Sequence, residues 1–153
     1  MKHLLRKNIP LAILFAVMTV AVMVVIFMFS AATGEESEEV SQTLLGIIIE
    51  FVGNFISHNT LRKLAHFSEF AALGFFMAGT FRFASGNLKF YHPFIPCVIY
   101  AVSDEIHQHF VPERACRIFD VLVDSSGSLT GILTFILLIA IIEKLTEKRS
   151  DNR

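Results

Sequence analysis

The sequence predicts an all-α membrane protein with four transmembrane helices and an interfacial or re-entrant helix in the first outer loop. Three observations carry that expectation. The chain is 54% hydrophobic with a mean hydropathy of +0.60, too apolar for a soluble domain of 153 residues, which must clothe itself in polar side chains. Residues 9–31, IPLAILFAVMTVAVMVVIFMFSA, carry no charge and meet the length of about 20 apolar residues that a spanning helix needs. Lys and Arg gather in three segments separated by pairs of hydrophobic stretches, as a multi-pass chain with one basic side requires.

The first helix is expected over 9–31. Its basic lead, KHLLRKN, and its small-residue tail, SAA, are also marks of a signal peptide. The apolar run exceeds the roughly 7–15 residues of a signal core, so a retained helix is expected. The loop that follows holds Glu35, Glu36, Glu38, Glu39 and Glu50, with no Lys or Arg before Arg62. Within it LLGIIIEFVGNFI, 44–56, is apolar but too short to span, which points to an interfacial or re-entrant segment. SHNT at 57–60 breaks that segment and offers caps to the next helix.

Two impure candidates follow, 64–82 and 90–109, each apolar at one end and polar at the other. The last helix, 120–142, turns apolar after a polar first third. The whole chain, 1–153, reads as one membrane domain. Lys2, Arg6 and Lys7 precede the first helix, Arg82 and Lys89 lie between the second and third, and Lys144, Lys148 and Arg149 follow the fourth. Four spans put these segments on one side, expected to be cytoplasmic, with both termini inside the cell membrane. A net charge of −1 argues against nucleic acid as a partner. Cys97 and Cys116 match no zinc spacing and are expected as free thiols.

That topology places three polar clusters at one depth. Arg62, Lys63, His66 and Glu69 open the second helix from outside. Asp104, Glu105, His107 and Gln108 end the third there, and Asp120 and Asp124 open the fourth. The loop VPERACR brings Arg114 to the same level. Arg62, His66 and Glu69 are spaced i, i+4, i+7, and Asp104, His107 and Gln108 i, i+3, i+4, so each set shares a helix face. Gly127 and Gly131 make a small-xxx-small pair that permits close helix approach. The expected result is an outward-facing polar pocket between helices two, three and four, with helix one more exposed to lipid.

Together "RKLAHFSEF", "SDEIHQHFVPER" and "DVLVDSSG", in that order over residues 60–131, resemble the VanZ-like family of bacterial membrane proteins. The resemblance implies a cell-envelope setting and an association with reduced susceptibility to teicoplanin-type glycopeptides. It implies no particular reaction. Carried over by position, it marks Arg62, Lys63, His66, Glu69, Asp104, Glu105, His107, Gln108, Arg114, Asp120 and Asp124. The chain departs from the pattern at Glu113, where a Gly usually precedes the loop arginine, and at SSG after Asp124, where a Thr is frequent.

Several chemistries suit these residues. His66, Glu69, Asp104, His107 and Asp124 are candidate catalytic groups, for proton transfer or, without Asp104, as a ligand set for a divalent metal. No compact metal signature such as HExxH is present, so the cofactor is left open. Arg62, Lys63 and Arg114, with Glu105, Gln108 and Asp120, are candidate substrate contacts, the guanidiniums suiting a phosphate. A hydrolase or transferase acting on a membrane lipid or a lipid-linked cell-wall precursor fits. So does a non-catalytic binder of such a precursor or of the antibiotic.

The structural reading stands beside these. Interfacial Arg and Lys often only snorkel, a single His is more often a satisfied polar residue than a catalyst, and acids at a helix start offset its dipole. For the set the balance reverses, because helix packing does not require about ten ionisable groups at one membrane depth. A transporter is disfavoured, since the inner halves, GFFMAGTF and FILLIAII, offer no polar path.

Overall fold

The computed structural model describes residues 7–33, 58–112, 114 and 117–151. These form four helices and, among the described residues, no strand: α1 (Ile9–Ala31), α2 (His58–Ser85), α3 (Tyr91–His109) and α4 (Ile118–Asp151). The 44–56 segment and Cys116 lie outside the described residues. Three of the helices, α1, α2 and α4, are long and apolar enough to cross a membrane. The fourth, α3, has 19 residues and ends in SDEIHQH.

Local chemistry sets the boundaries. α1 begins where the Asn8 side chain accepts a hydrogen bond from the Leu11 N–H at 3.2 Å, with Pro10 in the first turn. α2 is longer than the apolar pattern suggests and takes Arg62 and Lys63 into its first turns. It stops at Gly86, whose φ of 76° lies in the left-handed region that glycine enters without steric cost. α4 continues well past residue 142 because EKLTEKR is built of strong helix formers.

The helices alternate in direction, and short contacts mark the two ends of the bundle. At one end the Asn8 N–H donates to the Phe83 carbonyl at 2.8 Å, and Arg82 pairs with Glu143 at 3.1 Å. At the other, Arg114 donates to the Phe29 carbonyl at 3.1 Å, and the Arg117 N–H donates to Glu105 at 2.8 Å. The first is the basic end, and the second collects the candidate site. Arg82→Ala tests that division. Glu143 is half exposed, so the lost pair is expected to cost about 0–1 kcal/mol, and the lost hydrogen bond from Arg82 to the Gly86 carbonyl at 2.8 Å about 1 kcal/mol more. The unfolding temperature should fall slightly while the cellular phenotype stays near wild type.

Two packed layers fill the interior. Ala12, Ala78, Phe83, Ile132 and Phe135 form the layer toward the basic end, with Phe15 set among Phe75, Phe76, Phe83 and Phe135. Ile26, Phe70, Leu73, Cys97 and Ala101 form the second layer. Cys97 is buried and free. The outer surface is strongly apolar: Val17, Val20, Val24, Leu122, Leu133 and Leu137 are all exposed. A patch of that extent suits lipid and not water.

The closest approach is between α2 and α4. A Cβ at Gly127 would run into the Phe67 carbonyl, one at Gly131 into the Ala71 carbonyl, and one at Gly74 into the Ser128 backbone. The small-xxx-small pair therefore lies against α2, and Gly74 returns the contact from the other side. Backbone-to-backbone packing of this kind fixes the distance between the two helices.

Candidate functional site

The α2–α4 contact determines what sits beside it. His66 immediately precedes Phe67, and Asp124 lies three residues before Gly127. Their helices meet so closely that His66 Nδ1 comes to 3.8 Å from Asp124 Oδ1. Asp104 enters from α3. The three side chains each offer a nitrogen or oxygen within 4.8 Å of the others. Residues from three helices, widely separated in sequence, thus meet in the interior near the polar end.

Burial makes this group unusual. Asp124 is 0% exposed, yet neither of its carboxylate oxygens has a hydrogen-bond partner. His66 Nδ1 has none either. Asp104 is also buried, and one of its oxygens accepts from Gln108 Nε2 at 2.9 Å, one turn along α3. Ser30 of α1 is 0% exposed and stands within reach of the Asp104 carboxyl. Its hydroxyl makes no hydrogen bond of ordinary geometry. Buried polar atoms are normally satisfied, and a cluster of orphans calls for a cause.

Further charged groups surround this cluster as a rim of side chains. Arg62 and Asp120 pair at 3.9 Å across α2 and α4. Glu105, only 2% exposed, accepts the Arg117 N–H with one oxygen and leaves the other unpartnered. Arg114 anchors to the Phe29 carbonyl, and its Nε is unpartnered. Burial, aided by the nearby Arg62, pulls the Arg114 guanidinium below its ordinary value. It remains a cation throughout the physiological range. Glu69, half-buried on α2, feels both Asp104 and Arg114.

The remaining candidates take other contacts. Lys63 places its ammonium 4.4 Å over the Phe119 ring, a cation–π contact. His107 stacks on Phe27 of α1 at 4.8 Å. Glu69 and His107, which the sequence puts in one ligand set with His66 and Asp124, do not join the three-residue group, while Asp104 does. Ser103 and Ser126 are exposed, and each donates to a carbonyl of its own helix at 2.7 Å.

The VanZ/LLP1 profile matches residues 15–140, which includes every group just described. The chain belongs to the VanZ/LLP1 family. No curated protein and no solved structure matches it. The VanZ/LLP1 match leaves out the basic N-terminal lead and the last turns of α4.

Sequence reasoning missed what α1 supplies. Phe27, the Phe29 carbonyl and Ser30 are all in contact with cluster or rim residues. A signal for Ser30 was present. Ala12, Thr19, Ile26 and Ser30 are the buried positions of α1, and their spacing of 7, 7 and 4 traces a single helix face. Thr19 and Ser30 are hydroxyls in an otherwise apolar segment, and Thr19 reaches Thr80 of α2 at 3.2 Å.

Proposed function

We propose that this VanZ/LLP1 protein crosses the bacterial cell membrane four times and uses its polar end to act on a lipid-linked cell-envelope substrate at the outer leaflet. Support for the fourth span comes from α3. Ile95, Ile99, Val102 and Ile106 are all exposed and recur at i, i+4, i+7 and i+11, one continuous apolar face fit for lipid. With Lys and Arg gathered at the basic end, both termini are cytoplasmic and the cluster is extracytoplasmic.

The observation that carries the reading is the meeting of His66, Asp104 and Asp124 within 4.8 Å, beneath a rim that includes Arg62 and Arg114. Ionisable groups inside a membrane are expensive and mark functional sites. The two guanidiniums, with Lys63 beside them, would hold a phosphate-bearing headgroup. His66, Glu69, Asp104 and Asp124 would perform the proton transfers of a hydrolysis or group transfer. Such action on a cell-wall precursor would alter how much of a glycopeptide's target is displayed, which accounts for a teicoplanin-related role.

Lipid mass spectrometry of cells with and without the gene tests this. A shift in one class of lipid-linked anion, with a parallel change in teicoplanin susceptibility, is expected. Identical lipid profiles and susceptibilities would reject it. Glu69→Gln should return the lipid profile to that of cells lacking the gene while membrane abundance is unchanged. A protein that only binds its ligand would retain part of its effect with this near-isosteric change.

A further inference from the structure

We infer that His66, Asp104 and Asp124 form a binding site for a divalent metal ion of the zinc or manganese type. The inference rests on the reading above in taking this cluster as the working site. Three further observations support it: donor chemistry, orphaned atoms and the sign of the substrate.

One imidazole nitrogen and two carboxylates from three different helices are a donor set suited to zinc or manganese. Three protein donors also leave coordination positions open, as catalytic sites do. A tetrahedral ion with bonds of about 2.0–2.2 Å holds its donors roughly 3.4 Å apart. The observed donors lie 3.8 Å apart for His66 and Asp124 and within 4.8 Å overall. Closure therefore asks the donors to approach one another by up to about 1.4 Å, a displacement within the reach of side-chain torsions.

Acidic residues near one another are common without an ion. Here the decisive feature is Asp124, wholly buried, with both oxygens and the facing His66 Nδ1 unpartnered. An ion at the centre would satisfy these atoms together. Around it the outer contacts are already in place. Gln108 holds Asp104 at 2.9 Å, the kind of second contact that orients a metal-bound carboxylate.

Substrate charge gives the same answer. Asp104, Asp124, Glu69 and Glu105 stand in or beside the cluster, and a phosphate-bearing headgroup would be repelled by them. A divalent cation offsets two carboxylates in a region where charge is weakly screened. Its open positions would then take the headgroup oxygens, with Arg62 and Arg114 completing the neutralisation. With the ion bound, His66, Asp104 and Asp124 give up the proton-transfer role they would share in a metal-free site, and that role falls to Glu69, which is not among the three donors.

The test uses the full chain purified in mild detergent, stripped with a chelator, then given Zn²⁺ or Mn²⁺ alone and desalted. One ion per chain is expected by elemental analysis, together with a rise in unfolding temperature. Asp104→Asn and Asp124→Asn should lose the ion and the rise. Gln108→Leu should weaken affinity about 10–100-fold, while Arg62→Gln should keep the stoichiometry. Circular dichroism and gel filtration show that each variant is folded.

A wild-type protein that retains neither ion, or aspartate variants that retain it as wild type does, overturns the site. A lipid profile that depends on the gene, in a protein that holds no ion, removes the metal and leaves the substrate reading standing. An ion bound by the three residues, in a protein that leaves lipids unchanged, keeps the site and removes the substrate reading.

Discussion

Asp124→Asn is expected to abolish the cellular phenotype, leave membrane abundance at the wild-type level and raise the stability of the metal-free protein. The unusual sign follows from the geometry. Asp124 is 0% exposed, the nearest facing side chain is the His66 imidazole at 3.8 Å, and neither oxygen is hydrogen-bonded. A carboxylate held in this way contributes no hydrogen bond to the fold and costs its own desolvation. Its neighbours add to the cost, because Asp104, Glu105, Asp120 and Glu69 all bear on it with like charge. A neutral amide of the same shape is still a buried polar group, but it removes the ionic desolvation and the like-charge repulsion, a gain of about 1 kcal/mol or more. Sites kept for function at the expense of stability behave in this way. A structural ion pair behaves oppositely, since removing one partner of a buried pair destabilises by about 3–5 kcal/mol. Unfolding of the chelator-treated protein separates the two. An Asp124→Asn protein that unfolds well before wild type would identify the cluster as packing glue.

Membrane sequences make some features of such a site easy to read and hide others. Charged residues stand out against an apolar background, so Arg62, His66, Asp104, Asp120 and Asp124 are visible as soon as the helices are drawn. Direction alternates from helix to helix, so the parity of the spans alone carries these residues to one end. The Gly127–Gly131 pair likewise announces a close contact, although not with which helix. Rotation about the helix axis is harder. A helix turns about 100° per residue, and charge and spacing alone group Asp104, His107 and Gln108. In the structure the buried face of α3 is Pro93, Cys97, Ala101, Asp104, Glu105 and Gln108. The small residues Cys97 and Ala101 set that face, which passes through Glu105 and leaves His107 at its edge, against Phe27. Small residues of the apolar half, read first, would have aimed the polar half. The part of α1 was hidden for a different reason. A single serine in a spanning helix is a weak mark beside so many charged groups; with Thr19 it lies on the buried face of α1, and the approach to Asp104 shows what that face serves.

Gly127→Ala is expected to abolish the same phenotype with the opposite change in stability. The added methyl would meet the Phe67 carbonyl, and Gly74 and Gly131 are packed against backbone in the same seam. Backbone has no rotamer to change, so α2 and α4 must separate or tilt. Overpacking of this kind costs about 1–3 kcal/mol. The displacement is greatest where the site can least accommodate it. His66 is the residue before Phe67, Asp124 lies one turn from Gly127, and their 3.8 Å separation is set by this contact. A shift of about 1 Å at that point is enough to lower a catalytic rate roughly 100-fold. Purified Gly127→Ala protein should therefore unfold earlier than wild type and fail to complement, while Asp124→Asn fails to complement and unfolds later. Two variants that lose function with opposite shifts in stability would show that the close seam and the buried acid do different work. The first holds the helices at the right distance, and the second is the group held there. A Gly127→Ala protein as stable and as active as wild type would mean that the site tolerates a wider seam and that helix proximity does not build it.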